Sequence, residues 1–112
     1  VSMIKTVEEA RDALANGYAF AHCSMLGFDS KRDSKGITRR KGQWAHAMAC
    51  IGCDDTKKRH NKMLFLIQNS CSFWVTESDM QAILSHNGSW VMSNVDGFPA
   101  KKLPNYGTST FL

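Results

Sequence analysis

An imidazole and a carboxamide, His46 and Asn69, are the two side chains of this sequence whose settings point most directly to chemistry. His46 stands near the start of an apolar run, Trp44-Ala45-His46-Ala47-Met48-Ala49-Cys50-Ile51-Gly52-Cys53, and Asn69 ends another, Met63-Leu64-Phe65-Leu66-Ile67-Gln68-Asn69. A charged turn, 54–62, separates them. If the runs pair as antiparallel strands, imidazole and amide meet at one end of a hairpin. A carboxamide oxygen can then accept from one ring N–H and leave the other nitrogen facing a reacting group. A thiol hydrolase holds its general base in this way: the imidazole takes the thiol proton and later protonates the leaving amine.

Such chemistry needs a thiolate, and four cysteines are available: Cys23, Cys50, Cys53 and Cys71. A reactive thiol wants a cationic neighbour or a helix N-terminus. His22 precedes Cys23, but adjacent residues of a strand point to opposite faces, so Cys23 reads as a buried packing cysteine. Cys71, close to Asn69, offers no stronger case. Zinc is the rival chemistry: His46, Cys50, Cys53 and His60 form a mixed Cys/His set that the metal accepts. Cys50 and Cys53 have opposite parity on a strand unless Gly52 turns the chain, so apolar packing is the expectation and no metal or cofactor is assigned. His22 and His86 read as satisfied polar groups, and Trp44, Trp74 and Trp90 as core aromatics with one polar edge.

These residues need a scaffold, and local signals supply one. Thr6-Val7-Glu8-Glu9 is a capping-box pattern that predicts a helix over 7–16, with Val7, Ala10 and Leu14 inward and Asn16-Gly17 as the stop. A strand follows over 18–25, then a polar, glycine-punctuated loop or flexible hairpin over 27–42. Strands over 43–53 and 63–69 form the hairpin that carries His46 and Asn69. Phe73-Trp74-Val75 is a further short strand. Ser78-Asp79-Met80-Gln81 reads as a second capping box, opening a helix through Leu84 that stops near Asn87-Gly88; residues 89–94 read as a last strand. The expected architecture is one α+β domain over 1–112, a mainly antiparallel sheet or half-barrel with two short helices.

Composition narrows the function classes. With 43% hydrophobic and 21% charged residues the chain is an ordinary globular sequence. Its longest apolar stretches are too short to span a bilayer, so no membrane partner is expected. The formal charge of +4 comes mostly from Lys31, Arg32, Lys35, Arg39, Arg40 and Lys41, and from Lys57, Lys58, Arg59 and Lys62. Neither cluster interleaves aromatics, so both read as solvated loops and nucleic acid is not the expected partner. Unpaired-looking cysteines in apolar runs suggest a reducing intracellular compartment or a virion. The opening Val1-Ser2 has two readings, a trimmed or processed start and a piece of a longer precursor.

The same residues resemble the C-terminal half of papain-like cysteine peptidases. In that family a histidine is followed by small apolar residues and a glycine–aromatic pair, and an apolar strand further on ends in Asn-Ser-Trp-Gly. Here the counterparts are His46-Ala47-Met48-Ala49-Cys50-Ile51-Gly52-Cys53 and Leu64-Phe65-Leu66-Ile67-Gln68-Asn69-Ser70-Cys71. The predicted helix and Gly17-Tyr18-Ala19-Phe20 occupy the place of the family's helix and strand before the histidine. Gly88-Ser89-Trp90-Val91 and Gly97-Phe98-Pro99 are similar to compact phage-encoded relatives. The resemblance implies thiol-dependent hydrolysis of a peptide or amide, His46 as general base and acid, and Asn69 as its orienting partner. It covers only the histidine-bearing half. The nucleophile-bearing helix, with the upstream glutamine of the oxyanion hole, has no counterpart in these 112 residues. Cys71 replaces the tryptophan that shields the His–Asn hydrogen bond, and Cys53 replaces the usual aromatic. The implied partners are a peptide or protein substrate, or a second chain supplying the cysteine half. The alternatives are a non-catalytic structural or interaction domain of a phage particle and, behind it, a zinc-binding domain.

Overall fold

The computed structural model describes residues 2–68, 72–91 and, for the backbone, 109–110. Its elements are β1 (Ser2–Met3), α1 (Val7–Ala15), β2 (Phe20–Phe28), β3 (Arg40–Asp54), β4 (Leu64–Gln68), β5 (Ser72–Thr76), α2 (Glu77–Leu84), β6 (Ser89–Val91) and β7 (Ser109–Thr110). The sheet runs in the order β1-β6-β2-β3-β4-β5, its strand pairs antiparallel, and β7 pairs with the end of β3. The α+β architecture with an antiparallel sheet and two short helices follows the sequence patterns. No helix among the described residues is long and apolar enough to cross a membrane.

α1 begins where the sequence places it. Thr6 Oγ1 accepts from the Glu9 amide at 3.2 Å, and the Glu9 carboxylate accepts from the Thr6 amide at 3.1 Å. Val7, Ala10, Leu14 and Ala15 form its buried face, and Gly17, at φ +85°, turns the chain out. α2 starts earlier than its expected cap. Thr76, not Ser78, is the N-cap, its hydroxyl accepting from the Asp79 amide at 3.3 Å. Gln81, which would close a box with Ser78, is engaged elsewhere: its Oε1 accepts from the Val7 amide at 3.1 Å and its Nε2 donates to the Lys5 carbonyl at 2.9 Å. One amide side chain thus ties the first turn of α1 to the middle of α2.

Both helices share one core with the inward face of the sheet. Leu14, Phe20, Cys50, Phe65, Ile67, Val75, Met80 and Ile83 are each 2% exposed or less. Along β2, Phe20, His22, Ser24 and Leu26 point in, while Ala21, Cys23 and Met25 point out. β3 carries a bulge: Cys50 opposes Ile67 but Gly52 opposes Leu66, so Ile51 is supernumerary. That extra residue resets the alternation and brings Cys50 and Cys53 both to the core side, although their spacing predicts opposite faces. Leu26 and Phe28 of β2 sit at two further register shifts, and Gly42, at φ +70°, lies within this irregular stretch.

The stretch expected as a loop over 27–42 is shorter and better tied. β2 continues to Phe28 and β3 begins at Arg40. Between them, the Thr38 amide donates to the Trp74 carbonyl at 2.9 Å and the Trp74 amide to the Gly36 carbonyl at 3.0 Å, a parallel bridge of Ile37 to Trp74. Ile37 and Thr38 are buried, and the Thr38 hydroxyl donates to the carbonyls of Asp29 and Lys31. The segment therefore reaches the outer margin of β5 and curls the sheet back on itself. β1 and β7 had no counterpart in the sequence patterns, being two residues each. The last predicted strand, 89–94, is described only to Val91.

Candidate functional site

His46 lies on β3 opposite Ser24 of β2, exposed, with its ring edge-on to that of Trp44 at 6.5 Å between centroids. β3 and β4 are antiparallel neighbours, as the hairpin reading requires. The described part of β4 ends at Gln68, opposite Ala49, at the His46 side of the ribbon. Asn69 lies outside the described residues, as does Cys71.

A shallow depression of about 500 Å³ adjoins His46, bordered by Cys23, Ser24, Met25, Ala45, Ala47, His86 and Gly88 as well. Its lining follows from the pleat. Cys23 opposes Ala47, and the outward residues of β3 here are small, so no side chain among the described residues fills the space. Gly88 closes one wall by close approach: the Cys23 amide donates to its carbonyl at 2.9 Å, and a β-carbon on Gly88 would stand 2.7 Å from the Cys23 carbonyl oxygen. Glycine at this position lets the turn after α2 bed against β2 and brings His86 to the rim.

Cys23 is exposed, contrary to the buried packing cysteine expected from its apolar strand, because it falls on the outward parity of β2. It borders the same depression as His46, yet Ser24 rather than Cys23 stands opposite His46, so alternation sends thiol and imidazole to different faces. Cys50 and Cys53 are packed in the core. Burial pushes the Cys50 thiol far up, and burial followed by the nearby Asp55 charge pushes Cys53 up to about 12. Both are neutral sulfhydryls at physiological pH. None of the three described cysteines therefore offers a thiolate to His46. The mixed Cys/His set does not converge either: His60 sits in the 54–62 turn with Nδ1 accepting from the Lys62 amide at 3.3 Å. Among the described residues no three His, Cys, Asp or Glu are grouped to hold a metal.

His22 is the residue that sequence reasoning passed over. Inward on β2, it is completely buried between Met48 of β3 and Ser89 of β6, with its ring 6.3 Å from that of Phe20. Neither ring nitrogen has a hydrogen-bond partner among the described residues, and neither does the hydroxyl of Ser89, its cross-strand neighbour. This corrects the expectation of a satisfied polar group. Burial, and secondarily the charge of His46 nearby, lowers the His22 pKa from 6.5 to about 4. The signal that could have found it is its parity with Phe20 and Leu26. Trp44 and Trp90, expected in the core, are each 42% exposed, and Met25 is 51% exposed. Trp90 opposes outward-facing Ala21, and Trp44 lies on the part of β3 that outruns the core.

The second basic cluster is partly structural. Arg59 stacks over Trp74 at 4.1 Å, donates from Nε to Asp54 at 3.0 Å and reaches the Lys35 carbonyl at 3.2 Å. Burial alone would raise the Asp54 carboxyl pKa; hydrogen bonds from Thr56 and Arg59 outweigh it and hold the group below its usual range. Comparison of the chain with family models, with curated proteins and with solved structures gives no match.

Proposed function

We propose that this chain is the histidine- and asparagine-bearing half of a papain-like cysteine peptidase. His46 is the general base and acid, Asn69 orients its ring, and the thiolate comes from a cysteine-bearing half outside these residues. One observation carries the reading: the antiparallel β3–β4 ribbon has its Gln68 end on the His46 side, and His46 is exposed beside a largely apolar depression. A peptide laid along β3 on the face that carries His46 could present its carbonyl carbon near the imidazole. His46 would accept the thiol proton as sulfur attacks that carbon, then return it to the departing amine as the C–N bond breaks. A carboxamide accepting from the ring N–H keeps the second nitrogen free for that exchange.

A second reading, an interaction domain without catalysis, is favoured by the absence of a thiolate facing His46 among the described residues and by the outward Met25, Trp44 and Trp90. Nitrogen-detected NMR of the His46 ring separates the two at the level of the orienting bond. The hydrolase reading expects one dominant tautomer with a slowly exchanging ring N–H, lost in Asn69→Ala. His46 ring signals unchanged by Asn69→Ala would sink it. A thiol-directed electrophile applied to the cysteine-bearing half together with this chain should label that half in a His46-dependent manner.

A further inference from the structure

The formal charge is segregated. Residues 29–41 contain six basic and two acidic side chains, an excess of +4 that equals that of the whole chain, so all other residues sum to zero. That excess is what remains after the two acids are counted: Asp33 accepts from the amides of Ile37 and Lys35 and interacts with the charges of Arg39 and Lys35, and Asp29 meets Lys41 at 4.0 Å. Arg32 lies over Phe73 and donates to the Ser72 carbonyl. Among the described residues no ion pair involves Lys31, Lys35, Arg39 or Arg40, all of them exposed.

This charge sits at the N-terminal end of β3. β3 pairs with β2 from Arg40 onward, but β4 joins its other side only from Ala49, so over 40–48 one margin of β3 has no strand partner among the described residues. Residues 40–47 are all exposed, Trp44 included. Arg40 and His46 are separated by at most about 20 Å at the rise of a β-strand. A backbone margin with alternating N–H and C=O groups suits an extended peptide, and a single exposed aromatic gives little stacking surface for nucleotide bases. The charge requires that peptide to be acidic.

We infer that the 40–48 stretch of β3 binds an extended peptide whose aspartates or glutamates meet Arg39, Arg40 and Lys41 while its other end lies beside His46. This names the class of substrate or partner for the site proposed above and rests on that reading for its orientation. The rival explanation is that lysines, arginines and bulges simply keep a strand margin from pairing.

The test is fluorescence anisotropy with the full 112-residue chain and three labelled peptides that share a leucine-containing half. Their other half carries four glutamates, four glutamines or four lysines. At low salt the glutamate peptide should bind about tenfold more tightly than the glutamine peptide, three exposed pairs being enough for that factor, and high salt should erase the difference. Arg39→Glu/Arg40→Glu/Lys41→Glu should abolish the preference, and the milder glutamine triple variant should remove most of it. Lys57→Glu/Lys58→Glu, on the other basic turn, should leave it intact. Equal binding of the glutamate and glutamine peptides overturns the inference. So does tighter binding of an oligothymidine of matched charge, or a charge dependence that sedimentation traces to self-association of the chain. Peptide binding needs no thiolate, so a glutamate preference that survives a negative His46–Asn69 result would discard the hydrolase and keep the surface.

Discussion

Acid should loosen this domain through His22, and the size of the effect follows from its surroundings. The imidazole is fully buried with neither nitrogen hydrogen-bonded among the described residues, and its pKa falls from 6.5 to about 4. In the unfolded chain the ring takes a proton below about 6.5, whereas in the folded chain it resists until about 4. The folded state therefore binds fewer protons across that window. Stability is complete above the upper value, declines as pH falls through the window, and levels off below the lower one. The whole shift corresponds to about 3 kcal/mol, and at pH 5 about 2 kcal/mol is already lost, a large fraction of a marginal domain's stability. Urea unfolding followed by circular dichroism at a series of pH values should show this, the midpoint dropping by about 1 M between pH 7 and pH 5. His22→Leu keeps an apolar side chain of similar bulk and removes the titration. It should cost little at pH 7, because it also removes two unsatisfied buried nitrogens, and should hold its stability down to pH 5. Parallel pH dependences of wild type and His22→Leu between pH 6.5 and pH 4.5 would refute the reasoning.

Two further predictions concern local structure. Thr76→Ala should destabilise the domain by about 1 kcal/mol through loss of the α2 cap, whereas Ser78→Ala should change it by a few tenths; thermal melts showing the reverse order would return the cap to Ser78. In a Cys71→Ser background, a colorimetric disulfide reagent should modify one thiol quickly in the native protein, and Cys23→Ser should remove that phase. Cys50 and Cys53 should react only on unfolding, and rapid native reaction of either would contradict their packing.

What the sequence could reveal was largely what neighbours decide. The cap of α1 is legible because Thr6 and Glu9 satisfy each other within one turn, and the β3–β4 hairpin because two apolar runs flank a polar turn. The start of α2 is not legible in the same way: Thr76 and Ser78 both offer hydroxyls, and the glutamine that would favour Ser78 is drawn away by the backbone of Lys5 and Val7. One supernumerary residue, Ile51, reverses the faces of Cys50 and Cys53, and no local pattern announces a bulge. Ile37 looks like an isolated apolar residue in a polar loop until Trp74, far along the chain, provides its partner. For the candidate site, the antiparallel pairing of β3 with β4 matches the reading from sequence. The burial of His22 follows from strand parity, but its unsatisfied nitrogens depend on what Ser89 and Met48 bring from other strands.

The clasp of Gly36 and Thr38 on Trp74 has a consequence for assembly. The outermost strand of most open sheets exposes a ladder of amides and carbonyls on which a stranger's chain can crystallise. On β5 the central rungs of that ladder are already taken by the protein's own backbone, from residues nearly forty positions earlier. Any growth of the sheet by an added strand is thereby steered away from that flank, and a chain that lost the clasp would gain a sticky border there.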